Sequence, residues 1–353
     1  MTFAGLLALV CLGYYRKSEK TIGLTTEATA LLIFWLGYLM HGYETLAIST
    51  GIVLVILLAH KRGLHQFVKE KLSETELYDT LKFLAVVFVA FPLLPDQEVG
   101  PYHFLNPARV WLLVVLVSTI SFSGYVLMRW LGAGRGLEVS SLVGGLISTT
   151  AVTVSLAGRA RKSPEHARTC GVLGVMANAV QFPRLLLLIW IVDRSLGAFL
   201  AVPLLGMGAV GLLGAWALSR RPGPAGPSVD LLFRNPYSLT SALKFGAFFI
   251  CIFLLSKVAA VYLGERGIYL TSALAGAGNA SVISLSVADL VRGGSLSVSH
   301  AGVAILIAVT TNALVKWVLA LTSGTRDLAL WLVVGDLTMI SVGIALVLLT
   351  ASF

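Results

Sequence analysis

Charge is the scarcest commodity in this sequence: Asp, Glu, Lys and Arg make up 12% of 353 residues, about half the share of an ordinary soluble domain. With 57% of the residues hydrophobic, so few charges cannot clothe a water-facing surface, and a soluble enzyme is excluded. Cysteine is nearly absent. Cys11, Cys170 and Cys251 are odd in number and widely spaced, so neither a disulfide framework nor a cysteine metal motif is indicated. The six histidines form no metalloprotease pair and there is no Walker A sequence. Gly132, Gly134 and Gly136 form a glycine-rich turn without the strand and helix of a dinucleotide fold. No enzymatic chemistry and no cofactor is expected, and a metal ligand set is unknown.

Acidic residues are outnumbered by basic ones, giving a formal net charge of +9. The basic residues lie in short connections between apolar runs and form no patch interleaved with aromatics, which argues against nucleic acid and for topology signals of the positive-inside kind. Met1 to Gly13 is apolar with no basic residue before it and no small-residue cleavage site, so it does not read as a removable signal peptide.

What the chain does have is long apolar sequence. Leu81 to Leu94, Val110 to Trp130, Leu185 to Val192, Ala198 to Leu218, Phe245 to Val261 and Leu328 to Leu349 are dense runs, and about 20 such residues cross a bilayer core. Candidate helices fall near 2–15, 27–42, 45–60, 80–95, 110–131, 139–158, 169–192, 198–219, 239–263, 268–290, 300–322 and 328–351. His60 to Tyr78, charged but with Leu64, Phe67 and Val68 at helical spacing, suits an amphipathic helix at the interface. Arg220 to Ser228, rich in proline, cannot be helical throughout.

The sequence repeats itself on either side of that segment. Asn106-Pro107 answers Asn235-Pro236, Ser141 to Ala157 aligns without gaps on Ser272 to Ala288 at a constant offset of 131, and Asn178-Ala179 matches Asn312-Ala313. Shared composition is the alternative, against which stands the common order of three landmarks. The division is then an N-terminal transmembrane region 1–100, repeat A 101–219, a hinge 220–234 and repeat B 235–353. If 139–158 enters and leaves on one face, the basic connections all fall on one side, and its mate 268–290 does the same from the other face. The expected fold is an all-α, polytopic transmembrane helical bundle with a duplicated repeat, inverted on this hypothesis, containing broken or re-entrant helices.

Segments 144–155 and 276–286 are rich in Gly, Ser, Thr and Asn. Unwound backbone at matching places in two repeats is the best sequence pointer to a transport site; close small-residue packing is the alternative. The candidate substrate- or ion-binding residues are Ser148, Thr149, Thr150, Asn178, Asn279, Ser281, Asn312 and Lys316, with Asn178 and Asn312 expected to bond across to the broken segments. Gln181, Arg184, Lys257 and Asp336 are further polar positions within apolar sequence, where charge defaults to function, although snorkelling accounts for Lys257, Lys316 or Arg184 equally well. Glu27 suits a first helical turn. Gly208, Gly211 and Gly214 read as a helix-packing series.

Phe91-Pro92-Leu93-Leu94-Pro95-Asp96, Leu105-Asn106-Pro107, Ile120 to Tyr125, Gly144 to Ala151, Arg234-Asn235-Pro236, and Asn312 to Lys316, with Leu24 to Ala28 and Gly100 to Tyr102, resemble the larger MgtC/SapB-type membrane proteins in their C-terminal domain of unknown function. The resemblance implies a multi-pass protein of a prokaryotic inner membrane and a loose link to magnesium homeostasis. The family's N-terminal motifs are absent or reduced to the first fifteen residues. Two functions follow: a transporter or channel for a small ion or solute, or a non-transporting regulator docked on another membrane protein. Besides the lipid bilayer, a homo-oligomer or such a partner protein is open. Neutral hydroxyls and amides beside Lys316 and Arg184 suit an anion or weakly charged solute better than Mg²⁺, which prefers carboxylates and water.

Overall fold

In hydrocarbon each backbone N–H and C=O must find a partner within the protein, so apolar runs of this length fold as helices. The computed structural model describes residues 5–8, 11–12, 25–63, 66, 78, 80–81, 84, 93–97, 106–131, 137–220 and 239–351. Among these there is no strand. The expected helices near 2–15 and 80–95, the interfacial helix at 60–78 and the hinge lie largely outside them, as does the side chain of Glu27.

Two units are separated between Ser73 and Glu74. In the first, α1 (Thr25–Leu39) and α2 (Glu44–Ala59) are short apolar helices that pack together. The second holds α3 (Pro107–Leu131), α4 (Leu137–Lys162), α5 (Ala167–Val192), α6 (Arg194–Ser219), α7 (Leu239–Gly278), α8 (Ala280–Arg292), α9 (Val298–Ser323) and α10 (Arg326–Ala351). Seven of its helical stretches are long and apolar enough to cross a bilayer. The chain is a multi-pass, all-α membrane protein.

Small residues let these helices approach closely. Gly171 and Gly174 of α5 sit under Trp331 and Leu332 of α10, and Gly208 and Gly211 of α6 lie against Pro183 and Ala179 of α5. Gly214, read with them as a packing series, faces open space.

Two of the helical paths are interrupted by a single extended residue: Ser148 inside α4 (φ −163°, ψ 109°) and Asn279 between α7 and α8 (φ −162°, ψ 110°). These are the two positions that the 131-residue offset pairs. At both, the chain turns back. Leu156 touches Gly174 and Thr149 meets Gln181, an antiparallel register that, continued straight, would carry Gly145 to the level of Leu185; Gly145 instead lies on the backbone of Ala177. Likewise Glu265, at the start of the arm leading to Asn279, is 2.8 Å from His300, just beyond the end of α8. Two arms in line would hold those residues about 40 Å apart. Gly264 (φ 57°), in a conformation that only glycine adopts freely, reverses the chain at the foot of that arm and brings Gly267 onto the carbonyl of Ala259.

The two hairpins therefore open to opposite ends. The arms 137–147 and 149–162 return to the end where α5 begins, where Gly324 also meets Ala157 and Arg168 lies over Trp331. The arms 265–278 and 280–292 open beside the start of α9, where Gly302 packs on Phe199 and Leu200 of α6; α6 starts where α5 finishes.

Candidate functional site at the hairpin tips

A break in a helix frees carbonyls on one side and N–H groups on the other, and each must be satisfied. Ser148 and Asn279 do this for the returning arms as N-caps, accepting from Ala151 N–H (3.3 Å) and Ser281 N–H (2.9 Å). Freed carbonyls are taken from outside: Leu146 by Arg184 (2.7 Å), Ile147 by Ser121 (3.4 Å) and Gly276 by the Asn312 amide (3.2 Å). Glycine at 145 and 276 makes this possible, since a Cβ there would strike Ala177 or the Ala308 backbone and Thr311.

Arg184 joins the tips. Its guanidinium Nη1 donates to Leu146 in the first hairpin and Nη2 to the Ser281 hydroxyl in the second (2.9 Å). A planar, rigid fork suits this two-ended role better than an ammonium.

Lys316, only 1% exposed, reaches the first tip from α9. Its ammonium donates to Gln181 (2.9 Å), Asn178 (3.1 Å) and Thr149 (3.3 Å), and Thr149 in turn donates to Gln181 (3.4 Å). The Asn178 amide donates onward to both oxygens of Asp336 (3.0 and 3.2 Å), which also accepts from Trp317 Nε1 (2.8 Å). An amide thus links a buried cation to a buried carboxylate, with the remaining valences filled by neutral groups, as such a pair requires.

The candidates expected from sequence thus fall into two connected clusters. Ser148, Asn279, Ser281 and Asn312 shape the tips; Thr149, Asn178 and Lys316 form the charged cluster beside the first tip; half-buried Thr150 follows Thr149 on its arm. Asn312 bonds to the broken segment as expected. Asn178 does not: it bonds Lys316 and Asp336 instead, and meets the tip only through Lys316. The reason is geometric, for the helices carrying Lys316 and Asp336 fill the space that Asn178 faces. Gln181, Arg184 and Asp336, noted in sequence as polar positions where charge defaults to function but left out of the candidate set, join these clusters, and Trp317 was signalled by nothing except its place beside Lys316. Lys257 lies over the ring of Phe253 at 4.8 Å, a cation–π contact within its own helix. Among the described residues no group of three His, Cys, Asp or Glu is arranged to hold a metal ion.

The family model described as Domain of unknown function (DUF4010) matches residues 115–324. The chain belongs to that family. The matched stretch takes in both tips, Arg184 and Lys316, and ends before Asp336. An uncharacterized protein of Aquifex aeolicus (strain VF5) is similar, with 29% identity over 207 residues, 58% of this chain and 89% of the relative. No solved structure matches.

Proposed function

We propose that this member of the DUF4010 family is a transporter or channel-like protein of a prokaryotic inner membrane, passing a small ion or solute through a site between the two hairpin tips. The supporting observation is Arg184, whose guanidinium is bonded to both tips at once: polar backbone and a cation converge where hydrocarbon would be the default, an arrangement used by transporters with discontinuous helices. The halves 101–219 and 235–353 act as the two repeats in this reading, and the chemistry is binding and release without a covalent step. Magnesium, suggested by the MgtC/SapB resemblance, is a poor fit to a site framed by Arg184 and Lys316.

The test is flux by purified protein in liposomes against an ion and metabolite panel, with Ser148→Ala and Asn279→Ala as variants. A solute should cross with wild type, and both variants should slow it about tenfold or more while eluting as folded protein. No flux across the panel, together with a co-purifying membrane protein, would replace transport by the regulator reading.

A further inference from the structure

We propose that Arg184, where it bridges the tips, is the counter-charge for one small monovalent anion of the halide or compact oxyanion class. The inference rests on the tips being the binding site and goes further in naming the ligand class.

The charge tally of the interior carries it. Among the described residues, Arg184 and Lys316 are two cations, whereas the carboxylate of Asp336 is committed to Asn178 and Trp317 and, through Asn178, to Lys316, and that of buried Asp289 to Arg292. Both groups that accept from Arg184, the Leu146 carbonyl and the Ser281 hydroxyl, are neutral. Helix partial charges do not remove the imbalance. Two arms begin at the tips with positive ends and two finish there with negative ends, so they cancel to first order. A full positive charge in a membrane interior is costly without a partner.

Spare donors point the same way. Arg184 Nε is buried and unpartnered. Ser284 is 1% exposed, lies one turn beyond Ser281 on the same face of α8, and its hydroxyl also has no partner. Unused N–H and O–H groups beside a cation call for an acceptor of negative charge. A metal cation would instead be repelled by Arg184.

Thermal unfolding of the purified full chain, in sodium gluconate replaced stepwise by chloride, nitrate, formate or sulfate at constant ionic strength, tests this. Wild type should be stabilised in a saturable way by at least one of the monovalent anions and not by exchange of sodium for choline. Arg184→Gln should abolish that stabilisation, Arg184→Lys should retain it with about 10- to 100-fold weaker affinity, and Ser284→Ala should weaken it while keeping the fold. If Arg184 is only a staple, wild type will show no anion dependence and both Arg184 variants will lose stability equally in gluconate and chloride, which overturns the proposal. Stabilisation that follows the cation, or that survives Arg184→Gln, overturns it too. Flux in liposomes separates the two readings: cation or neutral-solute flux with no anion dependence removes the anion and keeps transport, whereas anion stabilisation lost in Arg184→Gln without any flux keeps the anion site and removes transport.

Discussion

Lys316, Asn178 and Asp336 behave as one unit, because the amide uses its oxygen for the cation and its nitrogen for the carboxylate. Removing one charge strands the other, at a typical cost of about 3–5 kcal/mol, whereas replacing both by apolar groups is often close to neutral. Lys316→Met and Asp336→Leu should therefore each lower the denaturation midpoint strongly, and the double variant should recover at least half of the summed loss; additive losses in chemical unfolding would show that the two charges are independent. The polar residues of this cluster were visible in the sequence as exceptions within apolar runs. Their partnership was not, since 138 residues separate Asn178 from Lys316 and 158 separate it from Asp336. The repeat even misled at this point, giving Asn178 the role that only its counterpart Asn312 performs. Gln181, three residues beyond Asn178, faces Lys316, while Val315, three beyond Asn312, can make no such bond.

Each hairpin closes on a glycine. A side chain at Gly145 or Gly276 would collide with neighbouring backbone, which no rotamer change can relieve, whereas nothing lies within 4 Å of a Cβ built on Gly214. Overpacking typically costs about 1–3 kcal/mol, and more where backbone must move. Gly145→Leu and Gly276→Leu should thus abolish folded yield or lower the melting temperature by several degrees, with Gly214→Leu close to wild type; equal behaviour of all three in thermal unfolding would mean that the tips are not tightly packed. The breaks were legible because Gly, Ser, Thr and Asn cluster where bulky apolar residues would be expected, twice and at one offset. The glycine series in α6 shows the limit of that signal: Gly208 and Gly211 meet α5 while Gly214 looks outward, and composition alone does not tell which way a face points. Gly264 was better marked, since Gly264-Glu265-Arg266-Gly267 is a short polar joint between the candidate helices 239–263 and 268–290.

For the molecule as a whole, the opposite sense of the two hairpins follows from ends that meet: Glu265 with His300 at one, Gly324 with Ala157 at the other. The sequence reached the same arrangement by requiring all basic connections to share a side, an independent route based on charge and not on contact. It carried no signal for the way Arg184 ties the tips, because that depends on three segments meeting in space. If hairpins of similar depth enter a bilayer from opposite faces, their junction falls near the middle of the membrane's electric field. On the proposed anion reading, an anion arriving there from either bath would have crossed about half the applied voltage, and full passage of one charge is worth about 2.3 kcal/mol per 100 mV. Apparent affinity measured from one bath should then change about sevenfold per 100 mV, and affinity from the other bath by the same factor with the opposite sign, so that at equal anion concentrations membrane potential sets which side the protein loads from.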